Sequence, residues 1–209
     1  MIQNREEKIQ RIVATIRNNI AEINRAPDAA LYFYRKSIFL RNNAENIEVF
    51  LANDYNLEIL YATLVSWGMN SRRAKIKYFG DFQSNIRGCL NLLTQLEHLQ
   101  PNQQEFIPTL EQAYQKLELM QPRGRSVSKL VSNSKLLHFL FPKMLMPMDK
   151  THILVYFYGN TGESINKYIE IVKLSFDVMA LDEHWERYLD EQWNTTIPKM
   201  IDNAIFLLS

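Results

Sequence analysis

The densest run of chemically useful side chains lies between Lys129 and His152, where Lys129, Lys135, His138, Asp149 and His152 alternate with Ser132, Asn133 and Ser134. Asp149 with His138 or His152 is the pairing that acid–base catalysis requires, a carboxylate beside an imidazole that titrates near neutrality. The same residues also suit structural duties. Asp149 opens an apolar segment and fits the N-cap of a helix, where a carboxylate accepts from free backbone N–H groups and contributes about 0.5–2 kcal/mol. His138 falls among Leu137, Leu140 and Phe141, the setting of a core histidine bonded to Asp149 or to a carbonyl. Lys129 and Lys135 stand six residues apart, too far round a helix for one strict face, which assigns both to solvated surface.

Charge singles out the same region. The chain carries 24 basic and 23 acidic side chains, a net of +1, so no global field attracts a polyanion. Between Gln121 and His152, however, six basic residues face one acid, a local balance of +5. A second basic run, Arg72, Arg73, Lys75 and Lys77, joins that patch if the two halves of the chain fold together. Lys135, Lys129, Arg72 and Arg73 are therefore the candidate nucleic-acid contacts, with phosphates as their partners. Two aromatic triplets, Tyr32-Phe33-Tyr34 and Tyr156-Phe157-Tyr158, have the chemistry to stack on bases, although core packing is the simpler role for them and for Trp67, Trp185 and Trp193.

Other chemistries find no carrier. His98, His138, His152 and His184 lie on separate elements and form no HExxH or CxxC-associated set, so no metal is expected. The single cysteine, Cys89, sits among Leu90, Leu92 and Leu93 as a small hydrophobe and has no internal disulfide partner. The six glycines make no phosphate-binding loop, so no nucleotide cofactor is expected. No apolar stretch approaches the ~20 residues of a membrane span, and no secretory leader opens the chain. A reducing, cytoplasmic setting follows.

These side chains are positioned by helices. Isoleucines 2, 9, 12, 16, 20 and 23 recur at helical spacing, and Pro27 stops that helix near Ala26. A second helix carries Leu31 to Phe39, a third runs from Ala44 to Ala52, and a fourth runs from Leu57 to a left-handed glycine stop at Gly68. Asp81 is the expected N-cap of the next helix, which ends at Pro101, and another spans Asn102–Met120. Pro122-Gly124 divides an N-terminal array, 1–121, from a C-terminal array, 126–209, with both sharing one core. Beyond the break come a helix over Ser126–Phe141, one from Asp149 through the ambiguous run Ile153–Tyr158, and two long helices, the last carrying Trp185, Leu189, Trp193, Ile197 and Ile201. The expected fold is all-α, an orthogonal array of roughly ten helices in a single domain.

The sequence Ser134-Lys135-Leu136-Leu137-His138, a following Pro142, and Pro147-Met148-Asp149-Lys150, with Trp67-Gly68-Met69 and Tyr32-Phe33-Tyr34-Arg35-Lys36, resembles a family of uncharacterised prokaryotic all-α proteins. That likeness implies the fold class and brings no activity with it. More distantly, the chain is similar to the helix-hairpin-helix DNA glycosylases. There a hairpin followed by Lys or Arg grips a DNA phosphate, and a Pro-x-Asp-x-x-His-like turn supplies the catalytic aspartate. The resemblance implies that Ser132–Lys135 occupies the hairpin position and that Asp149, in Pro147-Met148-Asp149-Lys150-Thr151-His152, is the catalytic carboxylate. The run has no glycine, which leaves phosphate contact to Arg and Lys side chains. Three functions compete: nucleic-acid binding through a basic helical surface, a helical enzyme using Asp149 with a histidine, and a scaffolding module that binds a protein partner or a second copy of itself.

Overall fold

A computed structural model describes residues 1–23, 28–70, 75–122 and 129–209. Arg72, Arg73, the stop at Ala26 and most of the break at 122–125 lie outside the described residues.

Apolar periodicity and short polar caps set the N-terminal helices. α1 (Arg5–Asn19) turns Ile9, Ile12, Val13 and Ile16 inward. α2 (Ala29–Asn42) starts on Asp28, whose carboxylate accepts the Leu31 N–H at 2.9 Å. Asn46 and Asn53 likewise cap α3 (Ile47–Ala52) and α4 (Asp54–Leu64). The cap at Asn46 makes the third helix start later than Ala44, because an asparagine side chain that accepts a backbone N–H holds its own backbone extended. After α4 the chain makes a wider π-helical turn, Val65–Met69, that ends with Gly68 at φ 85°, the left-handed stop expected there.

The middle of the chain differs from the sequence reading at several boundaries. α5 (Phe79–Gly88) begins before Asp81, which lies in its first turn and caps nothing, and the helix breaks at Cys89 before α6 (Leu90–His98). α7 (Phe106–Lys116) is shorter than 102–120. The residues after it extend to pair with the second half of the basic run, Lys77 N–H bonding Leu119 O and Gln121 N–H bonding Lys75 O, both at 2.8 Å. The resulting Ile76–Met120 bridge is isolated, and the described residues contain no sheet.

The C-terminal half follows with α8 (Leu130–Leu140), a π-helical turn at Lys150–Leu154 leading into α9 (Val155–Tyr158), and α10 (Ile165–Met179). The run Ile153–Tyr158 is therefore helical, as its Asp149 cap implied. The last expected helix is not continuous. Trp185–Tyr188 is one 3-10 turn, and residues 189–196 are irregular before α11 (Ile197–Leu208). Asp190 folds that stretch back by accepting Gln192 N–H, Asn194 N–H and the Asn194 side-chain amide, while Thr196 caps α11 and Pro198 occupies its first turn.

Ten of the eleven residues of α8 are buried, so this helix is the centre of the array. It packs against α2, α4, α7 and α10, while α1 packs on α10 and α11, closing the two ends of the chain together. The buried apolar side chains form one cluster. The fold is all-α, and no helix among the described residues is long and apolar enough to cross a membrane.

The irregular stretch is held to α11 by fully buried Asn203, which donates to Trp193 O at 3.1 Å and Asn194 Oδ1 at 2.8 Å and accepts from Lys199 Nζ at 2.7 Å. Asn203→Ala strands these groups without partners, so it should lower unfolding free energy in urea by about 1–3 kcal/mol, more than Asn→Ala at exposed Asn43.

Candidate functional site

A central helix buried on nearly every side must find partners within the protein for most of the polar groups it carries. On α8 the Asn133 amide donates to Tyr114 O at 2.9 Å and Leu117 O at 3.0 Å, gathering carbonyls at the end of α7. Ser134 Oγ accepts the Met148 N–H at 3.1 Å. His138 Nδ1 is 2.7 Å from Leu145 O and therefore carries the proton of that bond, leaving Nε2 bare and without a hydrogen-bond partner. Burial lowers the His138 pKa to about 3. The carbonyl alternative for His138 holds, and an acid–base partnership with Asp149 through this residue does not.

Lys135 is the exception among these ties. Its exposure is 8%, against the solvated position its spacing implied. The reason is tertiary: α2 and α4 pack against α8, and the turn after α4 meets the end of this side chain. Its ammonium donates to Trp67 O at 2.9 Å, in the turn closed by Gly68, and lies 5.4 Å from the Trp67 ring. Beyond it opens a cavity of about 280 Å³, walled by Ala30, Trp67, Pro147, Met148, Asp149, His152, Trp193, Lys199, Asp202 and Phe206. Burial lowers the Lys135 pKa to about 8, opposed by the carboxylates of Asp149 and Asp202 and assisted by the cation of Lys199.

Asp149 holds two duties at once. Oδ1 accepts Thr151 N–H at 2.7 Å and His152 N–H at 3.2 Å, the predicted cap, while the side chain also lines the cavity. The cap holds the carboxylate at a helical N-terminus with its other oxygen outside these bonds. His152 lines the same cavity with its ring 4.5 Å from Phe206 and Nδ1 2.7 Å from Ser209 Oγ. Of the two histidines, His152 is the one brought to Asp149.

Lys199, missed in the sequence, enters from α11. It is 3% exposed, is paired with Asp202 and Asn203, and lies 5.4 Å from the Trp67 ring and 5.8 Å from the Trp193 ring. Its signal was present: Lys199 and Asn203, four apart, interrupt the inward face of Met200, Ile201, Ala204 and Ile205. Tyr34 joins the two tryptophans from behind, 5.3 Å from Trp67 and 5.9 Å from Trp193, and donates or accepts a bond at 2.5 Å with Thr195 Oγ1.

The basic surface is separate. Lys129 donates to Gln115 O at 2.9 Å and lies 3.7 Å from Glu118, which Lys77 also approaches at 3.7 Å. The described parts of the two basic runs thus do meet, but at a carboxylate, and neither lysine lines the cavity. Ser132–Lys135 lies inside α8 and forms no hairpin. Among the described residues no group of His, Cys, Asp or Glu is arranged to hold a metal, and Cys89 is buried, its thiol pKa raised by desolvation.

No protein-family model, curated protein or solved structure matches the chain.

Lysine burial carries a stability signature of definite sign. Below pH 8 both states hold the proton and the folded state bears the cost of burying it; between pH 8 and 10.5 the unfolded chain binds more protons, so the Lys135 contribution becomes more favourable as pH rises. Lys135→Met removes that dependence. Its stability relative to the wild type, measured by urea unfolding, should be higher at pH 7 than at pH 10 by about 2–3 kcal/mol. An unchanged difference between the two pH values would show a lysine that titrates normally.

Proposed function

We propose that the protein is an enzyme acting on nucleic acid, which takes one nucleotide into the cavity and attacks its C1′ with the Lys135 amine. The observation that carries this reading is a buried lysine of pKa about 8 opening onto a cavity that also holds Asp149. At pH 7.5 about a quarter of such amines are neutral and nucleophilic, against about one in a thousand for an ordinary lysine. The hydrogen bond to Trp67 O fixes the amine without consuming its lone pair. Trp67 and Trp193 supply flat, apolar walls suited to a base or sugar face, and the glycosylase resemblance supplies the expectation that Asp149 is catalytic.

In the proposed step the Lys135 nitrogen forms a bond to C1′ as the C1′–base bond breaks, its electron pair leaving with the base. The proton released by the attacking amine passes to Asp149, and His152, in the same cavity wall, protonates the departing base. The C1′–O4′ bond then opens as nitrogen donates its lone pair, O4′ gaining a proton, and the product is an imine. Asp149 stabilises the positive charge that develops on the sugar before the new bond is complete.

A second reading is favoured by the shared position of Asp149 and His152: acid–base hydrolysis with water as nucleophile and no covalent intermediate. The two separate cleanly. Incubation with oligonucleotides containing an abasic site, an oxidised base or a deaminated base, in the presence of borohydride, should reduce the imine to a stable protein–DNA adduct. Lys135→Met and Lys135→Arg should abolish the adduct. Asp149→Asn, which keeps a good N-cap, should slow adduct formation by at least 10-fold. Base release without any adduct, lost in His152→Gln, would establish the hydrolytic reading instead; adduct formation undiminished in Lys135→Met would exclude Lys135 as the amine.

A further inference from the structure

One face of α2 remains outside the core. Tyr32 is 62% exposed and Phe39 60%, seven residues apart on the same side of the helix, with Arg35 and Lys36 between them. Tyr55, 48% exposed on α4, borders the same strip: Lys36 Nζ lies 5.7 Å from the Phe39 ring and 5.9 Å from the Tyr55 ring. Arg35 is exposed and forms no ion pair with any described residue, and Lys36 is likewise balanced by rings rather than by a carboxylate. The acid nearest in sequence, Asp28, is occupied in capping the helix. A shallow groove runs along this strip from Asp28 to Phe39. Apolar side chains that large, left in water beside two cations that pair with no carboxylate among the described residues, match a partner that is both flat and anionic.

We infer that this face of α2 is a single-stranded nucleic-acid platform that feeds the cavity, with bases stacked on Tyr32 and Phe39 and phosphates held by Arg35 and Lys36. The inference rests on nucleic acid being the substrate of the cavity and identifies where the rest of the strand lies. Proximity supports it. The Ala30 carbonyl, in the first turn of α2, accepts the Trp67 indole N–H at 3.3 Å and Ala30 is part of the cavity wall, while the strip begins two residues further on, round the other side of the helix. An aromatic at each end with cations between is the alternation a strand presents, since every base offers a ring face and every linkage a charge. A peptide partner would have no use for that alternation, and a second copy of this chain would set these two cations against the same two cations across a two-fold axis.

The test is the affinity of the whole chain for a fluorescent 15-nucleotide single strand, as DNA and as RNA, by anisotropy between 50 and 200 mM salt. Arg35→Glu/Lys36→Glu should weaken binding at least 10-fold at 50 mM salt and flatten the plot of log K against log salt by about 1.4, the contribution of two phosphates on a single strand. Tyr32→Ala/Phe39→Ala should weaken binding by about 10-fold or more while leaving the salt slope unchanged. Both pairs lie on the surface, and matching thermal unfolding curves will establish that they remain folded. Affinity unchanged in both double variants overturns the inference, as does a homodimer by sedimentation that the Phe39 variant dissociates. Lys135→Met keeps the two proposals apart. Strand binding that survives in this variant and depends on Arg35 and Tyr32, with no borohydride adduct in the wild type, supports the platform and rejects the amine chemistry. An adduct with affinity indifferent to the α2 variants does the reverse.

Discussion

The structure depends on burying one helix that is far from wholly apolar. α8 lies at the centre with Ser132, Asn133, Ser134, Lys135 and His138 on it, and in a low-dielectric interior each unpaired group costs far more than a pair contributes. The molecule meets that demand by bringing chain ends and turns to the helix. The end of α7 supplies carbonyls to Asn133, the turn after α4 supplies Trp67 O to Lys135, and the loop after α8 supplies Leu145 O to His138 and Met148 N–H to Ser134. Polar residues in this core therefore dictate where neighbouring helices stop.

The same constraint builds the cavity. Gly68 lets the chain turn at positive φ so that the Trp67 carbonyl reaches Lys135 while the indole of Trp67 forms a wall. Ser134 and His138 hold the loop that delivers Asp149 to the opposite side. Lys199 and its partner Asp202 occupy the remaining edge, so two lysines and two aspartates share a small space backed by aromatic rings. With the charges nearly balanced, desolvation rather than a net field dominates the Lys135 ammonium and moves it toward neutrality.

His138 and His152 show how position decides chemistry for one residue type. One stands on the central helix and the other in the turn after the loop that leaves it; the first imidazole is sealed against Tyr34 and Phe139 with its proton committed to a carbonyl, and the second borders the cavity beside the aspartate that caps its turn. Solvent access separates them. A histidine that cannot hold a second proton at any physiological pH is a structural hydrogen-bond donor, whatever its neighbours in sequence.

Much was legible in the order of residues because it depends on local physics. Helical periodicity, the cap at Asp149, the stop at Gly68 and the all-α class follow from side-chain spacing and from backbone groups within a turn of one another. The continuous last helix failed for a local reason too: Asp190, Thr196 and Pro198 compete with a spacing of apolar residues that looked sufficient. What only the tertiary structure decided is the burial of Lys135 and the company of the cavity. Trp67, Lys135, Asp149, Trp193 and Lys199 are separated by up to 132 positions, and a charge on a helix reads as solvated until a second helix covers it. Desolvation is a property of everything packed around a group, and it is desolvation that moves this lysine from an ordinary surface cation toward the neutral amine.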